Sequence, residues 1–157
     1  MFAKRSEVRT LVLGAAAVLL ALVMFRAVHA QSPDRVQEMN GITFVSGGIG
    51  ADSRDDLAAR EKSYNFKLVL TLEGSGSFVS GARVILSSAA EVKLVEHVTE
   101  GPIMLAGLPA GAYTLSAAFR GVTHTIKFQV RADRLHTEFM RWPADPSQDV
   151  TLPADMK

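Results

Sequence analysis

Three histidines beyond residue 30, His97, His124 and His136, have the donor chemistry of a zinc site. Each falls in a different predicted strand, and no pair has the short spacing that zinc ligands use. His124 lies on the apolar face of its strand, the ordinary place for a core histidine. Four acids, Asp52, Asp55, Asp56 and Glu61, crowd one predicted helix. Carboxylates held across a cleft can hydrolyse glycosides, and clustered carboxylates can hold calcium, but this spacing matches no EF-hand loop. On a surface helix the same acids complement the dipole and keep the chain soluble. Gly48-Ile49-Gly50 is half of a dinucleotide-binding fingerprint, with Ser53 where the third glycine would stand. No parallel strand with an acid about twenty residues on is apparent, so the glycines read as a bend from strand to helix. There is no Gly-Lys-Ser/Thr segment and no Gly-x-Ser-x-Gly elbow. The residues therefore predict a chain that is not an enzyme, with no cofactor and no metal.

The first thirty residues fix the compartment. Lys4, Arg5 and Arg9 precede fifteen apolar residues, Leu11 to Phe25, and Ala27-Val28-His29-Ala30 follows. This is the order of a secretory signal peptide, with cleavage between Ala30 and Gln31. The run is short of the roughly twenty residues that a membrane span needs. A periplasmic or secreted protein is expected, with no stable membrane anchor after cleavage. The precursor has 17 basic and 16 acidic residues, a net charge of +1. The leader takes four of the bases and one of the acids, leaving 13 and 15, a net of −2. No basic patch remains to steer a polyanion, which excludes nucleic acid as the natural partner. With no cysteine, the domain has no disulfide, no thiol chemistry and no lipid attachment site; a hydrophobic core must hold it.

The elements that would position any site follow from periodicity. Residues 31–40 are polar and read as a flexible lead-in. Gly41 to Ser46 is strand-like, and Ser53 to about Lys62 is the one helical pattern, with Ser53 as its cap. From Tyr64 the period is two. Phe66, Leu68, Leu70 and Leu72 share a face, and strands are predicted within Phe78–Ser87, Val92–Val98 and Pro102–Ala106. Tyr113, Leu115, Ala117 and Phe119 alternate with Thr114, Ser116 and Ala118. Arg120-Gly121 is a two-residue hairpin loop leading to Val122, His124, Ile126, Phe128 and Val130 on one face. Leu135–Trp142 is the last strand, and residues 143–157, with three prolines, read as a flexible tail. This predicts an all-β domain over 41–142, an antiparallel sandwich of six to seven strands with one short N-terminal helix. Phe44, Tyr64, Phe78, Tyr113 and Trp142 are the aromatics available for a binding platform, although a core would claim most of them.

One segment resembles a known family. Gly107-Leu108-Pro109-Ala110-Gly111-Ala112-Tyr113-Thr114-Leu115 is similar to the "Leu-Pro-x-Gly-x-Tyr" corner of carboxypeptidase regulatory-like domains, with Ile103-Met104-Leu105 before it and the Phe119-Arg120-Gly121-Val122 hairpin after it. From Ile42 to Trp142 the chain looks like small exported bacterial proteins of this type. The resemblance implies a transthyretin-like, Greek-key sandwich, also grouped with carbohydrate-binding-like folds. It implies that Leu108, Pro109, Gly111 and Tyr113 form a structural corner, with the Tyr113 hydroxyl reaching the corner backbone. It also implies a non-catalytic module that works by contact with a protein of the envelope. The alternative is a module for cell-wall or extracellular glycan, which demands two or three coplanar surface aromatics.

Overall fold

A computed structural model describes residues 34–144. The leader, the cleavage position Ala30/Gln31 and the tail beyond Ala144 lie outside the described residues. Among the described residues, no helix is long and apolar enough to cross a membrane.

Two sheets face each other. The first has five strands in the order β1 (Val36–Met39), β2 (Ile42–Gly47), β6 (Ile103–Gly107), β3 (Phe66–Leu72) and β9 (His136–Trp142). The second has four, in the order β5 (Lys93–Val98), β4 (Arg83–Ser88), β7 (Gly111–Phe119) and β8 (Val122–Val130). The mostly-β, two-sheet architecture is the one the alternation predicts. Two features differ from expectation. Nine strands are present among the described residues in place of six to seven, and β9 runs parallel to β3 over seven paired residues, from Phe66↔His136 to Leu72↔Trp142. The remaining pairings are antiparallel.

Part of the expected flexible lead-in is strand β1. It forms a hairpin with β2 through Asn40-Gly41, both with positive φ. This is the mirror-image two-residue turn whose twist matches paired strands. Val36 and Met39 on β1 remain exposed, so alternation gave no core signal there.

The period-two faces meet between the sheets. Phe44, Phe66, Leu68, Leu70, Met104 and Trp142 of the first sheet pack on Val84, Leu86, Val95, Leu115, Ala117 and Phe128 of the second. Phe119 is partly buried against this core. Burial of a large side chain is worth about 1.5–3 kcal/mol, and such contacts replace disulfides here.

A second, smaller core lies on the outside of the five-stranded sheet. There α1 (Ala51–Arg60), continued by a 3₁₀ turn at Glu61–Ser63, lays Leu57 over Val45, Ile103 and Leu105. Tyr64 packs against the same group. Ser53 does not cap this helix; Gly50 holds the cap position without a side-chain bond. Ser53 instead accepts from the Gly48 N–H (2.6 Å) and donates to the Asp34 carboxylate (2.5 Å). Arg60 donates to the Asp34 carbonyl (3.0 Å). The entry of the chain is thereby fastened to the helix.

Candidate functional site

The corner is built from local conformation upward. Leu108 is buried, while Pro109, Ala110 and Gly111 turn the chain from β6 into β7 at the surface. Tyr113 faces inward beside Phe128 (5.9 Å between ring centres), and its hydroxyl donates to the Pro109 carbonyl at 2.7 Å. Burial pushes the Tyr113 phenol above its usual value, so it keeps its proton and this donor. Leu108, Pro109, Gly111 and Tyr113 therefore come together as one structural unit.

Asn65, which sequence reasoning passed over, completes that unit. Its side chain donates to the Leu108 carbonyl (2.7 Å) and accepts from the Leu108 N–H (2.8 Å). It also donates to the Arg131 carbonyl (3.2 Å), and its own carbonyl accepts from the His136 N–H (2.9 Å). One amide thus ties the start of β3 to the corner and to the β8–β9 connection. Its signal was faint: an Asn directly before a strand reads as turn chemistry.

The chemistry-bearing residues do not converge. His97 lies on β5, T-shaped to Phe44 (5.2 Å), whereas His124 lies on β8, T-shaped to Trp142 (5.3 Å). His136 stacks on Phe128 (5.4 Å) and pairs with Glu138 (2.6 Å). Among the described residues, no three histidines or acids are grouped to hold a metal. The helix acids also disperse. Asp56 pairs with Arg60 (2.6 Å), Glu61 pairs with Lys67, and Asp52 and Asp55 face solvent. The Gly48–Gly50 bend is filled from within, because the Gly48 N–H that would cradle a phosphate is held by Ser53 beside the Asp34 carboxylate. Of the five platform aromatics, Phe44, Tyr113 and Trp142 are buried, Tyr64 is half-buried, and Phe78 is exposed. A shallow depression over β7 and β8, lined by Ala89, Thr114, Lys127 and Gln129, carries one charged side chain, Lys127.

The free edges of the sheets are what remain, and they are not equivalent. Strand β1 has only four residues. Strand β5 is irregular, with a register shift opposite Leu86/Ser87. Its edge groups are also engaged: Asn40 donates to the Leu94 carbonyl (2.9 Å), and the Glu96 N–H meets the Met39 sulfur (3.4 Å). Lys93 and Arg83 flank Glu96 and hold its carboxyl down to about 2. Strand β9 carries the His136–Glu138 pair on its core-facing side, and an inward charge is an edge-protecting device.

Strand β8 has none of these protections. It pairs with β7 over nine residues without a shift, and its one formally charged side chain is Lys127. Arg120-Gly121 closes that hairpin with positive φ at both residues. A two-residue loop makes Phe119↔Val122 a hydrogen-bonded pair, and such pairs alternate along the ladder. The main-chain groups of Thr123, Thr125, Lys127 and Gln129 consequently face away from β7. All four residues are exposed. The Ser116–Thr125 hydroxyl contact of 2.7 Å fits the closer side-chain approach of a non-hydrogen-bonded pair.

No protein-family model and no curated protein matches the chain.

Two outcomes follow. Asn65→Ala strands both main-chain groups of Leu108 and costs about 1–3 kcal/mol, whereas Tyr113→Phe costs about 0.5–1.5 kcal/mol. Denaturant midpoints of the two variants measure the difference. The second outcome concerns acid. Burial lowers the His97 pKa against an opposing pull from Glu100. The unfolded chain therefore takes up this proton first as pH falls. The group leaves stability unchanged above its ordinary value of 6.5 and reduces it as pH drops below that value. His97→Phe should flatten this part of the stability–pH curve.

Proposed function

We propose that this chain is a non-catalytic, exported β-sandwich module of the carboxypeptidase regulatory-like, transthyretin-like type, acting by protein–protein contact in the bacterial periplasm. The fold reading is supported by the Leu108–Tyr113 corner with its hydroxyl-to-carbonyl bond. Export is supported by the composition of residues 1–30. The contact reading is carried by β8, the longest of the four sheet edges described, which pairs with its neighbour over nine residues without a register shift and has a single edge charge, Lys127.

The physical basis is strand addition. Thr123, Thr125, Lys127 and Gln129 offer main-chain donors and acceptors to an incoming strand, which gains affinity from the ladder and specificity from alternate side chains. The side chains at these positions are two threonines, one lysine and one glutamine, all exposed; they stand roughly perpendicular to the sheet and leave the edge main chain accessible. The partner is an envelope protein with an extended segment.

A proline at a position whose N–H faces the free edge removes one donor and leaves the β7–β8 ladder intact. Thr125→Pro should keep the fold, read by an unchanged circular dichroism spectrum, and lose in-cell crosslinking to the partner. Unchanged crosslinking in the folded variant would defeat the edge reading. The glycan reading would gain in its place if the folded protein were retained on purified peptidoglycan.

A further inference from the structure

The helix covers only half of the outer face of the five-stranded sheet. Leu57 closes over β2 and β6, through Val45, Ile103 and Leu105. The outward positions of β3 and β9 lie beyond it. Val69 pairs with Phe139 and Thr71 pairs with Arg141. Thr71 is bridged on its other side by Phe78, which puts Phe78 on the same face. Val69 and Thr71 are nearly buried, at 7% and 9% exposure, yet Phe78 and Phe139 are 53% and 55% exposed. Strand spacing and rise place the two phenylalanine Cα atoms about 12 Å apart.

Each exposed ring carries a guanidinium. Arg54 lies 5.8 Å from the centre of Phe78, and Arg141 lies 5.8 Å from the centre of Phe139. Neighbouring cations are neutralised, Arg60 by Asp56 and Lys67 by Glu61. Arg54 reaches only the Gly48 carbonyl (3.4 Å), and Arg141 forms no ion pair among the described residues. The face therefore presents two exposed apolar rings and two guanidinium groups that form no ion pair among the described residues, over Val69 and Thr71.

We infer that this face is a second contact surface, for an acidic protein segment in which carboxylates alternate with apolar side chains. The inference rests on reading the chain as a contact module. Two arguments select this occupant. Guanidinium forks without an ion pair among the described residues match carboxylates, and a cation with an exposed aromatic is the composition of interface anchors. A guanidinium also covers one side of each ring, which leaves ring edges and donor forks for aliphatic and carboxylate groups, where a sugar would need bare ring faces. The face lies on the five-stranded sheet and the β8 edge on the four-stranded one, so the two surfaces are separable by mutation.

The test uses the full chain, purified and immobilised, with two synthetic peptides of equal length as probes. One alternates Glu with Leu and Phe; the other has Lys in place of Glu. The acidic peptide should bind, more weakly as salt rises. Phe139→Ser and Arg141→Glu should each reduce its affinity by about tenfold or more, about 1.4 kcal/mol per tenfold. Thr125→Pro should leave this affinity unchanged even where it abolishes partner crosslinking, which separates failure of this surface from failure of the edge. Both face residues are exposed, and unchanged thermal melts would verify folding. Wild-type affinity in both face variants, or binding of the basic peptide as tight as that of the acidic one, would overturn the inference. So would retention on polygalacturonate, or self-association of the chain, that Arg141→Glu abolishes in the absence of acidic-peptide binding.

Discussion

Apolar packing between the two sheets, without a covalent crosslink, is the constraint from which the remaining structure follows. Trp142 is the largest fully buried side chain and shows how the constraint is met. Its ring meets His124 (5.3 Å) and Phe119 (5.9 Å) of the opposite sheet, and its indole N–H donates to the Val122 carbonyl (3.0 Å). Its own carbonyl accepts from the Glu73 N–H (2.8 Å). A single residue at the end of β9 thus fixes one seam of the sandwich. The stacked Phe66, Phe128 and His136 rings fix the same seam at its other end. Asn40, Met39 and Gln37 reach across the opposite seam to β5 and Glu100.

Closing the seams with side chains determines which main-chain groups remain available. The β5 edge is occupied by the β1–β2 turn, and β9 carries the inward-facing Glu138 in contact with His136. Strand β8 alone is long, regular and open. Its exposure follows from the asymmetry of the two seams: one is sealed by side chains bonding to the edge backbone, the other mainly by rings packed behind it. The same economy explains the outer face of the five-stranded sheet. One helix of ten residues can bury only one apolar side chain, Leu57, and so covers two strands.

Much of this architecture was legible because burial on one face writes a period of two into the sequence. Phe66, Leu68 and Leu70, and Tyr113, Leu115 and Ala117, all point inward as their alternation predicts. What was not legible depends on contacts distant in sequence. The parallel pairing of β9 with β3 joins residues about seventy positions apart, and nothing local in Leu135–Trp142 specifies it. Strand β1 was hidden because its side chains are mostly exposed, although Asn40-Gly41 is a strong hairpin signal. Ser53 has the chemistry of a cap, and its recruitment by Asp34 and Gly48 is a tertiary effect. At the candidate surface, Arg120-Gly121 and the alternation of β8 could be read directly. Its status as an open edge could not, because that depends on how β1 and β9 treat the other edges.

The most direct measurement is residue-resolved amide hydrogen exchange of the free protein along β8. Thr123, Thr125, Lys127 and Gln129 should exchange fast, and His124, Ile126 and Phe128 slowly, in strict alternation. Uniform protection along the strand would mean that something already covers the edge, and would contradict the contact surface proposed for this protein.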